Sequence, residues 1–158
     1  MANVNGKTER TLKMEKITKE LKSFSKVIGF ISLYQVSNLV FYLTAVTELD
    51  IGSADAMMQA AMPVIKALGA APIALSILVH LFLCFKGHKE ANDPSPAKFH
   101  IILAVLWAIG YVLSLIGSIS ALAEGVTVTK IVDALFAGAT AVLMFFYAKY
   151  AKEVRTRE

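Results

Sequence analysis

Residues 101–123 read IILAVLWAIGYVLSLIGSISALA, and these 23 positions hold no Asp, Glu, Lys or Arg. At about 1.5 Å of helix per residue, such a run crosses the roughly 30 Å hydrocarbon core of a bilayer. A buried helix of a soluble domain keeps a charged face over that length; this one has none. The pattern repeats along the chain. Lys26 and Glu48 are separated by 21 uncharged residues, and Lys66 and Lys86 by 19. Between Lys130 and Lys149, 18 residues are interrupted by Asp133 alone. The chain as a whole is 56% hydrophobic with mean hydropathy +0.61, above the roughly 45–50% of soluble domains. Four transmembrane helices are therefore predicted, near 27–46, 63–85, 99–121 and 130–148. The predicted fold is an all-α, four-helix transmembrane bundle over 26–150, with a basic segment at 1–25 and a tail at 151–158.

Lys and Arg set membrane orientation more strongly than net charge does. Of the 16, 14 fall before span one, between spans two and three, or after span four. Only Lys66 and Lys130 fall on the opposite side, together with Glu48, Asp50, Asp55, Glu124 and Asp133. Both termini are expected in the cytoplasm, in the plasma or inner membrane, in a single orientation. The net charge of +4 then reflects a lipid-facing bias, and no nucleic-acid partner is expected.

Residues 8–25 read as an amphipathic helix outside the hydrocarbon. Met14, Ile17, Leu21, Phe24 and Ile28 recur every three or four positions, which makes a narrow apolar ridge. Lys16, Lys19, Lys22 and Lys26 point elsewhere, placed to meet an anionic inner leaflet at about 1 kcal/mol per basic residue. The competing expectation is that the ridge packs on a partner or on a second copy. At the other end of the chain, Phe145, Phe146, Tyr147 and Tyr150 beside Lys149 read as an interfacial aromatic belt.

Polar groups inside a span lack water and need partners. Gln35, Asn38 and Tyr42 share one face of span one, and Ser76 and His80 stand at i,i+4 on span two. Thr140 lies at similar depth on span four. Gly110, Ser114 and Ser118 form linked small-xxx-small steps on span three, which suit close helix approach. Asp133, with Lys130 three residues away and Lys66 at similar height, reads as an interfacial ion-pair clip or as the mouth of a cation or proton path. His80 reads as a neutral, hydrogen-bonded bundle residue or as a proton relay. Pro63 is expected to restart span two and Pro72 to kink it. Ser53 is expected to cap a short outer helix, and Met57, Met58 and Met62 to pack flexibly. Residues 86–98 read as an exposed turn carrying Pro94 and Pro96.

Enzymatic chemistry has no footing in this sequence. There are no paired carboxylates in a span, no metal-ligand spacing and no nucleophile–base arrangement, so no catalytic, metal or cofactor residue is predicted. Cys84 is the only cysteine, which excludes an intrachain disulfide. The expected function is a non-enzymatic accessory or interaction subunit of a membrane complex, with a homo-oligomer or a membrane protein as partner. The alternative is a small oligomeric channel or transporter for protons or small cations, built on the polar positions above.

Overall fold

A computed structural model describes residues 2–48, 56–94 and 98–155, with side chains over 9–45, 60–94 and 98–155. It is all-helical: α1 is Ala2–Glu48, α2 Ala56–Asn92, α3 Phe99–Ala123 and α4 Val128–Arg155. No strand occurs among the described residues. All four helices are long and apolar enough to cross a membrane. Ser53, Met57, Met58 and Pro96 lie outside the residues whose side chains are described.

Three boundaries differ from the sequence expectation. The ridge at 8–25 and span one belong to one unbroken helix of 47 residues, because nothing between Leu21 and Ile28 stops a helix. At 1.5 Å per residue, α1 is roughly 70 Å long, more than twice the hydrocarbon thickness. Pro63 and Pro72 both lie inside α2, so the helix begins before Pro63 rather than at it. The far end of α2 runs on to Asn92, absorbing most of the stretch read as a turn. The amide of Asp93 still donates to the Lys89 carbonyl at 2.8 Å, and Pro94 then forbids continuation.

The chain forms two compact units, one of residues 29–82 and one of the segments up to Ile28 and from Leu83 onward. In the first, the C-terminal part of α1 and the N-terminal part of α2 meet where the Tyr42 hydroxyl donates to the Ile65 carbonyl at 3.2 Å. A Cβ at Gly69 would overlap the Tyr42 ring and hydroxyl, so the glycine makes room for the tyrosine. In the second unit, α3 and α4 form an antiparallel hairpin. Tyr111 stands edge-on to Phe136 at 6.3 Å and His100 edge-on to Tyr147 at 6.2 Å. Its core is lined by small residues, with Ala104, Ala108, Ala137, Ala141, Ala148 and Ala151 all buried, which permits close helix approach.

The hairpin turn is held by three local devices. Gly125 has φ +153°, a conformation that side-chain-bearing residues rarely adopt. The Thr127 hydroxyl accepts from the Lys130 amide at 3.3 Å, an N-cap for α4. The Lys130 ammonium donates to the carbonyls of Ala121 at 2.6 Å and Gly125 at 3.0 Å, satisfying the end of α3 where the helix dipole favours a cation.

Candidate functional site

The basic end of the second unit contains a buried polar cluster to which all four helices contribute. α1 supplies Ser25, α2 supplies Gly87 and Glu90, α3 supplies His100, and α4 supplies Tyr147 and Arg155. The α1 ridge is what carries Ser25 there. Ile17, Leu21, Ser25 and Ile28 are buried, and Phe24 stacks on Phe146 at 5.8 Å and on Tyr150 at 5.5 Å. The ridge is thus covered by the same chain, while Lys16, Lys19 and Lys26 are exposed and Lys22 is half-buried.

Glu90 is 1% exposed, and Arg155 Nε donates to its Oε1. An isolated carboxylate at that depth is costly, and a guanidinium with oriented N–H groups is the partner that makes it tolerable. Gly87 lies one turn before Glu90. A Cβ there would overlap Ser25 Oγ and the Tyr147 ring, so only glycine lets α1 and α4 close on α2 at this level. Ser25 Oγ donates to the Leu21 carbonyl at 2.7 Å. His100 Nε2 and Tyr147 Oη are both buried with no hydrogen-bond partner among the described residues. Around the cluster, Lys149 Nζ sits 5.8 Å over the Tyr150 ring, a cation–π contact. Tyr147, expected in an interfacial belt, is instead fully buried, whereas Phe145 and Phe146 are exposed.

The residues singled out from sequence are dispersed. Gln35 and His80 are buried, Ser76, Tyr42 and Lys66 half-buried, and Asn38 exposed. His80 Nδ1 donates to the Ser76 carbonyl of its own helix at 2.6 Å, with Ser76 Oγ 3.4 Å away. Thr140 is buried within α4, while Ser114 and Asp133 are exposed. Lys130 is committed to the end of α3 as described above. On α3, a Cβ at Gly110 or Gly117 would meet nothing within 4 Å; of the expected small-residue stripe, Gly110 and Ser114 are exposed and Ser118 is half-buried.

Sequence reasoning missed Glu90 and Arg155, because 86–98 read as a turn and 151–158 as a tail, and it passed over His100 at the start of span three. One signal was present. The positions Tyr147, Ala151 and Val154, all buried, continue the spacing of an inward helical face past Lys149.

The cluster is an ion pair enclosed by small and aromatic residues. No group of three His, Cys, Asp or Glu side chains able to hold a metal occurs among the described residues. Its geometry suits the joining of four helices at one level. Four helices long and apolar enough to cross a bilayer, two of them joined by a buried ion pair between Glu90 and Arg155, fit the class of polytopic helical membrane proteins. Compared with family models, curated proteins and solved structures, the chain matches none.

Proposed function

We propose that this chain is a non-enzymatic subunit of a membrane complex, with both termini cytoplasmic, which docks another membrane-embedded helix. The observation that carries the proposal is the face of α3 at Gly110, Ser114 and Gly117. These positions recur every three or four residues and all three are exposed. Small side chains with open space above them let a second helix approach to backbone contact. Asn38 adds a second reason. Its amide is exposed in the middle of a span, where lipid offers no hydrogen-bond partner. The basic residues Lys16, Lys19, Lys22 and Lys26 face away from the packed ridge and would rest on the anionic leaflet.

The test is affinity capture from native membrane with wild-type and Ser114→Leu chains. Because Ser114 touches no packed interior, the variant should melt in detergent within about 0.5 kcal/mol of wild type, yet lose its co-purifying membrane partner. An identical set of captured proteins would remove this face from the proposal. The alternative, a small oligomeric channel or transporter, draws on the exposure of Asn38, Ser114 and Asp133, which would line a path between copies. Flux of protons or small cations in proteoliposomes would favour it; the subunit reading expects none.

A further inference from the structure

At their basic ends, α3 and α4 border a cleft of about 380 Å³ lined by Lys98, Ile101, Ile102, Lys152 and Arg155. Farther along the same two helices lies a trough of about 600 Å³. Its lining is hydrocarbon, with Val105, Ile109 and Val112 from α3 and Ala141, Val142 and Phe145 from α4. Lys98, which precedes α3, and positions 101, 102, 105, 109 and 112 on it follow the three-to-four-residue repeat of one helix face. The antiparallel hairpin sets 152 and 155 beside 98–102, and 141–145 beside 105–112. The two hollows therefore succeed one another along one groove, with cations at the basic end and hydrocarbon beyond.

We infer that this groove binds one anionic phospholipid, with its phosphate among Lys98, Lys152 and Arg155 and an acyl chain along the trough. The chemistry changes from cationic to apolar in the order that a lipid presents. Ile101 to Val112 spans eleven helical steps, about 17 Å of helix, so the trough follows a tail well into the hydrocarbon. Glu90 offsets part of the charge of Arg155, but Lys98 and Lys152 are exposed and add two further cations. Glu153, half-buried on α4, does not line the cleft. A helix from a second copy in the same orientation is the poorer occupant. The basic end of each helix carries lysine (Lys26, Lys86, Lys98 and Lys149), so it would set like charges against the cleft.

The experiment uses the full chain purified in detergent, with affinities read by native mass spectrometry and stability by thermal unfolding. The probes are dioleoylphosphatidylglycerol, dioleoylphosphatidylcholine and water-soluble glycerol 3-phosphate. The anionic lipid should bind most tightly and raise the melting temperature, and glycerol 3-phosphate should do neither. Each lysine near an anionic lipid contributes roughly fivefold in affinity, so Lys98→Gln with Lys152→Gln should weaken phosphatidylglycerol about 30-fold and phosphatidylcholine, whose phosphate is offset by its own ammonium, much less. Ile109→Trp, at an exposed position in the trough, should weaken both lipids. Lys16→Gln with Lys19→Gln should weaken neither in this one-to-one complex. Unchanged phosphatidylglycerol affinity in the double lysine variant would overturn the inference. So would glycerol 3-phosphate binding as tightly as the lipid, which would mark a site for a soluble anion. A dimer dissociated by Ile109→Trp with lipid binding intact would instead assign the trough to a second copy.

Discussion

Glu90 and Arg155 show how much depends on a pair rather than on either member. Removing one partner of a buried ion pair leaves an uncompensated charge and costs about 3–5 kcal/mol. Arg155→Ala should therefore lower thermal stability in detergent by that amount, and the joint replacement Glu90→Gln with Arg155→Met should cost distinctly less. Equal losses in the single and joint variants would show that the two side chains are not coupled. Tyr147 makes the opposite prediction. Its hydroxyl is buried without a hydrogen-bond partner among the described residues, so Tyr147→Phe removes an unsatisfied group and should be neutral or stabilising within about 1 kcal/mol. A clear loss of stability would reveal a hidden acceptor or a bound water. The sequence drew attention to Lys130 for its charge near Asp133, and the structure gives the lysine another partner. Charge is legible in a sequence; which acceptor lies within reach depends on how the chain turns back.

Elements are governed by their ends and by their closest approaches. Gly125, at φ +153°, lets α3 turn directly into α4, and strained backbone at such a position costs of order 1–3 kcal/mol. Gly125→Ala should destabilise the hairpin by that amount in a denaturant or thermal titration. Lys130→Met should cost about 1 kcal/mol by leaving the Ala121 carbonyl at the end of α3 and the Gly125 carbonyl in the turn without their donor. Gly87→Ala should be worse tolerated than Gly110→Ala, because a Cβ at the first meets Ser25 and Tyr147 and at the second meets nothing. That contrast could not be read from the sequence, where both are glycines in apolar helices. Nor could the small-residue stripe of α3 be assigned a partner from its spacing. The spacing shows that close approach is possible, and only the fold shows open space above Gly110 and Gly117.

At the scale of the whole molecule, the lysine and arginine distribution is the basis for the proposal that both termini share one face of the membrane. Reporters fused to the two ends should give matching cytoplasmic signals, and opposite signals would reverse the orientation proposed here. The sequence by itself determined that four helices form and that each can cross a bilayer. Those properties depend on local composition, on runs of apolar residues long enough for hydrocarbon and on the confinement of charge to their ends. Only the tertiary structure decided that the ridge of α1 is covered by its own chain, that Glu90 meets Arg155, and that α3 and α4 leave a cationic-to-apolar groove. Glu90 and Arg155 stand 65 positions apart, and a pairing over that distance depends on how helices pack, which the chemistry of any single segment does not specify.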